Sequence, residues 1–193
     1  MRLKIVQVGE PVLRQVARPL QMSEILRPST QQLIQDMRET MLDAPGVGLA
    51  APQVGLSLQL AVVEDRAESF RDLSPQQLAE RERNPVPFHV LINPVMRSQS
   101  SEIRQFFEGC LSLAGFVAIV PRAHRVEVEY LDEHAQPQKI LAQGWYARIL
   151  QHEIGHLHGE LYVDRMQSRS LATVDNFTRH WKTKSMAEIT RGI

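Results

Sequence analysis

The stretch Gln151-His152-Glu153-Ile154-Gly155-His156-Leu157 contains the pattern HExxH, which decides how this chain is interpreted. Residues four apart share one face of a helix, so His152 and His156 can both reach a single metal ion. Glu153 lies about 100° further round the helix, where its carboxylate can address a water molecule at that ion. The pattern therefore predicts a metal-dependent hydrolase, but it leaves the third ligand and the substrate open.

The residues around the motif predict that it lies on a buried helix. Apolar side chains recur at three- and four-residue spacing after Gly144, at Ala147, Leu150, Ile154 and Leu157. Charged or half-protonated side chains on such a helix need partners or a metal, because burying them alone is costly. This context favours a functional motif over a chance grouping of polar residues on a solvated helix.

Other segments of the chain predict one further long helix and several strands. A capping-box pattern at Ser29 and Gln32, followed by apolar residues every four positions, predicts a helix that ends before Pro45. Strands are predicted where apolar or alternating runs occur, at 58–63, 88–92, 117–120 and 126–130. The order of these elements does not follow a regular βαβ series, so it predicts an α+β fold with mixed or antiparallel sheets.

Length and composition favour one domain over residues 1–193 with the charge balance of an ordinary globular protein. Lys plus Arg and Asp plus Glu number 22 each, so no global field favours nucleic acid or a membrane. No signal sequence or membrane span is evident, which predicts a cytoplasmic protein. A charged stretch at 64–87 is interpreted as a surface insertion, with an N-cap at Ser74, and residues 165–193 as a basic tail.

The third metal ligand could follow one of two zinc-peptidase precedents, a further histidine or a distant glutamate, or it could be Cys110. Tyr162 stands where the pattern HExxHxxGxxH would have its last histidine, and Glu188 is the main distant carboxylate. Cys110, the single cysteine, cannot form an internal disulfide and leaves a reduced thiol available. The stretch 108–112, EGCLS, puts a glycine beside that thiol, and a Cys/His/His set would leave a fourth position open for catalysis. Taken by itself, a cysteine such as Cys110 is more often a small core residue than a metal ligand.

A third cluster, GVGLAAPQ at 46–53, combines small residues with a glutamine. It lacks the Lys-Ser/Thr ending and the GxGxxG spacing of phosphate loops. Its glycines are also compatible with an ordinary tight turn. Gln53 is the more informative residue, because a neutral amide donor is a common component of an oxyanion site.

Taken in order, the stretches GVGLAAPQ, EGCLS and QHEIGHLHG resemble the three signature motifs of the peptide deformylase family, which removes the N-terminal formyl group from new polypeptides. The resemblance runs from about Val8-Gly9 to about Met166 and includes Asn93-Pro94 and Val120-Pro121-Arg122. It implies sheets packed around a central helix that carries HExxH. Only the insertion and the tail lie outside it.

The resemblance also implies a role for each motif residue. Cys110, His152 and His156 would be the metal ligands, and Glu153 the catalytic acid and base. The amide of Gln53 and the backbone N–H of Leu111 would stabilise the oxyanion. The peptide would lie along the segment Gly46, Val47 and Gly48, as in strand addition. An apolar pocket for the methionine side chain would include Leu111, Trp145 and Ile149.

The resemblance implies ferrous iron, with zinc, nickel or cobalt as substitutes, and N-formylmethionyl peptides as substrates. The basic tail could make transient contact with the ribosome, where such substrates emerge. Two other hypotheses remain open from the residues: a metallopeptidase, and a non-catalytic descendant that binds formylated chains. The family usually has aspartate at the position of Gly155, so we expect Gly155→Asp to raise thermal stability or turnover.

Overall fold

The computed structural model of the chain describes residues 1–192. Over this range the chain forms six α-helices and eight strands, joined by short 3-10 segments and loops. The helices are α1 (Met22–Ile25), α2 (Pro28–Asp43), α3 (Pro75–Arg81), α4 (Gly144–Leu157), α5 (Val174–His180) and α6 (Met186–Gly192). The strands are β1 (Gly48–Ala50), β2 (Leu60–Asp65), β3 (Val86–Gln99), β4 (Ile103–Cys110), β5 (Leu113–Ala123), β6 (Arg125–Leu131), β7 (Pro137–Gln143) and β8 (Ala172–Thr173).

The strands form two antiparallel sheets. The first has five strands in the order β1-β2-β3-β6-β7, and the second has three in the order β4-β5-β8. All strand pairs within both sheets are antiparallel. The predicted α+β class is therefore confirmed. Strand β1 pairs only with β2 among the described strands, so one of its edges is open.

Helix α4 lies against strands of both sheets. It contacts β1, β2, β6 and β7 of the first sheet and β5 of the second. Its apolar residues Ala147, Leu150, Ile154 and Leu157 are all buried and belong to one core cluster. Burial of this stripe holds the helix between the sheets, and the HExxH residues are fixed with it.

Several of the predicted element boundaries were wrong, two of them for reasons that the structure shows. Helix α2 is capped at Arg27, with Pro28 in the first turn, so the capping box predicted at Ser29 does not start it. Strand β3 does not end at Ile92 but runs to Gln99. Asn93, at φ 50°, causes a register shift without ending the strand, and its side-chain amide bonds both the N–H and the carbonyl of Leu20.

The charged stretch at 64–87 is shorter than predicted and partly buried. Strand β2 extends to Asp65 and β3 begins at Val86, so the connection covers residues 66–85, which we call the insertion. The predicted capping box forms, because Ser74 Oγ accepts from the N–H of Gln77 and the Gln77 side chain accepts from the N–H of Ser74. Phe70 of this insertion is buried, so it also packs on the core.

The basic tail is also packed on the body of the protein. Ile189 of α6 is buried against Phe107 and Ile119 of the three-stranded sheet, and the Phe177 ring lies 4.8 Å from that of Phe107. The Gln77 side chain of the insertion donates to the Lys182 carbonyl at 2.8 Å. The insertion and the basic tail therefore contact each other. Among the described helices, none has both the length and the apolar character that crossing a bilayer requires.

Candidate active site

Helix α4 carries His152, Glu153 and His156 on the side that faces the second sheet and β1. The two imidazole rings lie 4.8 Å apart, as four-residue spacing predicts. His156 and Glu153 are buried, and His152 is half-buried at the mouth of the site. The helix therefore offers two imidazoles and one carboxylate to the same small volume.

Cys110 reaches this volume from the end of β4. The register between β4 and β5 shifts sharply after Gly109, which pairs with Val117, whereas Cys110 pairs with Leu113. A Cβ on Gly109 would lie 3.3 Å from the side chain of Val117, a tight approach that agrees with the glycine beside the thiol. This irregular strand end turns the thiol toward helix α4.

Cys110, His152 and His156 form a compact set of potential metal ligands. Their donor atoms all lie within 4.8 Å of one another, and the Cys110 Sγ is 3.3 Å from Nε2 of His156. One thiolate and two imidazoles suit a borderline divalent cation such as Zn²⁺ or Fe²⁺ better than a hard cation such as Mg²⁺. The donor set of the chain therefore fits a transition-metal ion.

Neither zinc-peptidase precedent supplies a further ligand to this set among the described residues. Tyr162 stacks on the ring of His152, with ring centroids 6.4 Å apart, and supplies no imidazole. Glu188 caps the start of α6 through the hydroxyl and N–H of Ser185. Neither metallopeptidase arrangement is therefore assembled in the described part of the chain.

A buried ionic network that was not predicted from the sequence lies behind these candidate ligands. The Glu108 carboxylate accepts from Nδ1 of His152 at 3.0 Å, which leaves Nε2 of that ring for a metal. It also accepts both bonds of the Arg122 fork at 3.0 and 2.9 Å, and one from Arg148 at 2.5 Å. The side chains of Glu108, Arg122 and Arg148 are 4%, 7% and 4% exposed, so water does not screen their charges.

This network fixes the charge of its members. Burial opposes ionisation of Glu108, but the bond from His152 and the charge of Arg122 outweigh it and hold the pKa of that carboxyl well below its usual range. Burial likewise opposes protonation of His152, but Cys110 and Glu108 raise its pKa to about 10. Burial and the neighbouring His152 lower the pKa of His156. The carboxylate therefore stays ionised beneath a ligand imidazole.

Glu153 is placed to exchange protons. Burial raises its pKa to about 7, and its Oε2 is a buried oxygen without a hydrogen-bond partner among the described residues. Gly48 lies against it, because a Cβ at that position would be 2.7 Å from Cγ of Glu153. The glycine in GVGLAAPQ is thus required for a close approach between β1 and the HExxH helix.

Gln53 lies beside the thiol. Its Oε1 accepts from the N–H of Ala50 at 2.9 Å, which orients the amide so that Nε2 points to the Cys110 Sγ at 3.4 Å. Gln53 is only 1% exposed, but it contributes to the wall of the cavity beside Cys110. The geometry suits an amide that donates to an oxygen near the metal ligands.

One cavity of about 700 Å³ brings most of the predicted site residues together. It is bounded by Gly46, Val47, Gly48, Gln53, Cys110, Leu111, Trp145, Ile149, His152 and Glu153. His156 lies behind this surface and does not line it. Further residues in the wall were not predicted from the sequence, among them Arg83, Phe107, Arg148 and Val174. Arg83, Phe107 and Val174 lie far apart along the chain, and nothing in the sequence indicated that they would meet.

The two edges of the cavity differ in character. On one side, Val47 accepts from the N–H of Glu64 and continues the pairing of β1, whose free edge borders the cavity. An extended peptide can add to such an edge by main-chain hydrogen bonds. On the other side, Leu111 packs against Gly46, where a Cβ would be 2.8 Å from its Cδ1. Ile149 and Trp145 form an apolar wall one and two turns before the ligands.

Comparison with known proteins agrees with this geometry. The family model described as Polypeptide deformylase matches residues 2–172. Peptide deformylase 1 of Bifidobacterium longum is 47% identical over 181 residues, which cover 93% of this chain and 79% of that protein. The chloroplastic peptide deformylase 1A of Solanum lycopersicum is 43% identical over 89% of this chain, which spans 62% of the plant protein.

A solved structure matches as well. The class I type b peptide deformylase of Acinetobacter baumannii, bound to Met-Ala-Ser, superposes with a TM-score of 0.77 at 34% identity, and the match covers 86% of this chain and 99% of that one. The family match spans far more than half of the sequence, from residue 2 to the first residue of β8. The chain therefore belongs to the polypeptide deformylase family.

Proposed function

We propose that this chain removes the formyl group from N-formylmethionyl peptides at a metal centre held by Cys110, His152 and His156. Deformylation of such peptides is the activity of the family to which the chain belongs. The observation that carries the proposal is the compact Cys/His/His set, within 4.8 Å, beside an open cavity that Glu153 and Gln53 also line. A metallopeptidase is not favoured, because the family match and the thiol donor both favour a deformylase.

A bound metal ion would act as a Lewis acid, which promotes ionisation of water near neutral pH and polarises an amide carbonyl. We propose ferrous iron, following the family resemblance, with zinc, nickel or cobalt able to replace it. The thiolate of Cys110 supports a metal of this borderline class. Glu108 would keep His152 in the tautomer that presents Nε2 to the ion.

Glu153 would move the proton during the reaction. Its Oε2 would accept a proton from the attacking water and return it to the nitrogen of the departing amine, releasing formate and a free N-terminus. A buried carboxyl with a pKa of about 7 can perform both transfers near neutral pH. The amide of Gln53 and the N–H of Leu111 would donate to the oxyanion that develops on the formyl oxygen.

The peptide would bind as an added strand beside β1. Main-chain groups of Gly46, Val47 and Gly48 would pair with its backbone, because that edge is free among the described strands. The first side chain would enter the apolar part of the cavity, against Ile149, Trp145 and Leu111. This orientation would bring the formyl group to Glu153.

A non-catalytic role in binding formylated chains is less well supported, because every proposed metal ligand and the proposed base are present in the chain.

The decisive experiment is anaerobic purification with metal analysis, followed by formate release from formyl-Met-Ala-Ser. Metal-loaded parent protein should release formate, and Glu153→Ala should retain the metal but lose at least about a hundredfold in kcat. Cys110→Ser should lower metal content, whereas a protease that did not use the thiol would tolerate it. No formate from metal-loaded parent protein would defeat the proposal.

The proposal also includes one domain over residues 1–193, a cytoplasmic location and a transient ribosome contact through the tail. The reduced thiol of Cys110 suits a reducing compartment. Exposed cations of the tail, at Arg179, Lys182 and Lys184, are candidates for ribosome binding. Because Ile189 packs the tail on the core, charge reversal at these positions tests the contact better than truncation. If the protein still co-sediments with ribosomes in a salt-sensitive way after charge reversal, to the same extent as the parent, the tail does not make the ribosome contact.

A further inference from the structure

Trp145 in the cavity wall is not held by a hydrogen bond. Its Nε1 is buried and has no acceptor among the described residues. The orientation of the indole therefore depends on the groups that pack against it. Phe106 meets the ring edge-to-face at 6.1 Å, and the Arg148 guanidinium lies 5.8 Å from it. Both belong to the core of the second sheet and helix α4.

The closest cation on this ring comes from the insertion. The Arg83 guanidinium lies 4.9 Å from the centroid of Trp145 and 4.8 Å from that of Phe70. A two-bond fork fixes it to Asp65, with Nε to Oδ2 at 2.8 Å and Nη2 to Oδ1 at 3.0 Å. The Asp65 side chain is fully buried and that of Arg83 is 11% exposed, so this ion pair is rigid and weakly screened. Arg83 also lines the cavity.

A second anchor fixes the same end of the insertion to the start of α4. The Glu82 carboxylate accepts from Nε2 of His124 at 2.7 Å and from the side chain of Gln143 at 3.0 Å. Gly144 lies so close that a Cβ would be 2.6 Å from Cβ of Glu82. Because Trp145 follows Gly144 directly, the insertion and the tryptophan are held in one fixed relation.

We propose that Arg83 is a positioning residue that holds Trp145 as the wall of the pocket for the first side chain, and so sets which N-terminal residue is accepted. This inference rests on the proposed function, since it concerns the selectivity of the same site. Stacking of a partly desolvated guanidinium on an indole contributes about 0.5–2 kcal/mol, or two- to thirtyfold in an equilibrium. Without it the indole can turn, and the pocket widens toward the insertion.

The test compares Arg83→Met with a matched control, Arg81→Met. Arg81 lies in the same insertion, its side chain is 12% exposed, and it stacks on Phe106 at 5.1 Å, but it does not line the cavity. The ratio of kcat/KM for formyl-Met-Ala-Ser to that for formyl-Phe-Ala-Ser is measured for each protein. We expect the ratio to fall about three- to thirtyfold in Arg83→Met, with Arg81→Met within twofold of the parent.

A spectroscopic measurement follows the tryptophan itself. The chain has two tryptophans, so in a Trp181→Phe background only Trp145 emits. Arg83→Met should shift that emission to longer wavelength and increase its quenching by acrylamide, and Arg81→Met should not. Arg83→Lys retains a cation but loses the fork to Asp65, so it should give intermediate values in both measurements.

Each outcome decides the inference. A ratio within twofold of the parent in Arg83→Met, or a ratio that falls equally in Arg81→Met, overturns it. If Arg83→Met hydrolyses both peptides too slowly for the ratio to be measured, the ratio in Arg83→Lys and the emission of Trp145 in Arg83→Met decide. An unchanged emission then overturns the inference. If the metal-loaded parent releases no formate, the proposed function fails. If the parent is active and selective but Arg83→Met has the same selectivity ratio as the parent, only this inference fails.

Discussion

The Glu108 carboxylate lies 3.0 Å from Nδ1 of His152, and since an ionised carboxylate can only accept, the imidazole must donate from that nitrogen. The bond fixes the tautomer and the rotation of His152, a proposed metal ligand. Two buried arginines, Arg122 and Arg148, pair with the same carboxylate. Orientation of the metal ligand and stability of the core therefore depend on the same carboxylate.

Replacement of this carboxylate should weaken metal binding. Glu108→Gln keeps the size of the side chain but removes its charge, and we expect metal affinity to fall about ten- to a hundredfold. Two buried guanidinium groups would also lose their counter-ion, which should lower the free energy of unfolding by about 3–5 kcal/mol. Metal competition titration and chemical denaturation of the metal-loaded protein measure the two effects.

Glu102→Gln is the matched control for this variant. Glu102 also bonds Nδ1 of a histidine, His124, at 3.0 Å, but its side chain is 47% exposed and lies away from the metal ligands. Its replacement should leave metal affinity unchanged. Equal losses of affinity in both variants would mean that general destabilisation, not ligand orientation, explains the effect.

The sequence could predict the local part of the site but not the residues that support it. Four-residue spacing and apolar periodicity are properties of one helix, so they placed His152 and His156 without knowledge of the fold. The partners of Glu108 lie 14 and 40 residues away, on β5 and α4, and only the packing of sheet and helix brings them together. A charged residue at position 148, one turn before His152 on an otherwise apolar face, was the available signal.

The fold class followed from element order, whereas several boundaries did not. The strand predicted at 88–92 stopped before Asn93, but β3 continues through this residue, and the Asn93 side chain pairs with the backbone of Leu20. The charged insertion and basic tail appeared to be solvated surface. Their apolar residues, such as Phe70 and Ile189, are too few to give a strong periodic pattern, yet each is buried in the structure.

Gly48→Ala should separate catalysis from metal binding. The added Cβ would lie 2.7 Å from Cγ and 2.5 Å from Cδ of Glu153, so the carboxylate would have to move. We expect kcat to fall by at least about a hundredfold, the scale of a displaced general base, while metal content stays at the parent level. Formate release and metal analysis on one preparation test this, and an unchanged kcat would show that Glu153 does not need its observed position.

Tyr162→Phe tests whether the residue in the third-histidine position takes part in metal binding. Burial raises the pKa of Tyr162 to about 12, and its hydroxyl has no partner among the described residues, which costs stability. Removing the hydroxyl should raise the free energy of unfolding by about 1 kcal/mol, with metal content unchanged. The control, Tyr146→Phe, loses a 3.0 Å hydrogen bond to His89 and should therefore lower the free energy of unfolding. Loss of metal from Tyr162→Phe would contradict the assignment of Cys110 as third ligand.

Gly155 is the fourth residue of the HExxH pattern, a position where the resemblance to the family implies aspartate. A Cβ here would meet only Glu160, with Cβ at 3.7 Å and Oε2 at 3.9 Å, which is ordinary contact distance. Gly155→Ala should therefore raise the free energy of unfolding by about 0.5–1 kcal/mol, because glycine is a poor helix former. For a domain of this size that corresponds to an increase in Tm of roughly 1–4 °C.

Gly155→Asp should gain less than Gly155→Ala, contrary to the expectation from the motif alone. The new carboxylate would lie close to that of Glu160 and in the last turn of α4, where the helix dipole disfavours negative charge. Arg165 already pairs with Glu160 through a contact of 2.7 Å, so it is not free to compensate a second carboxylate. Thermal denaturation of both metal-loaded variants ranks them, and an aspartate variant more stable than the alanine variant would show that the carboxylate finds a cation that outweighs this repulsion.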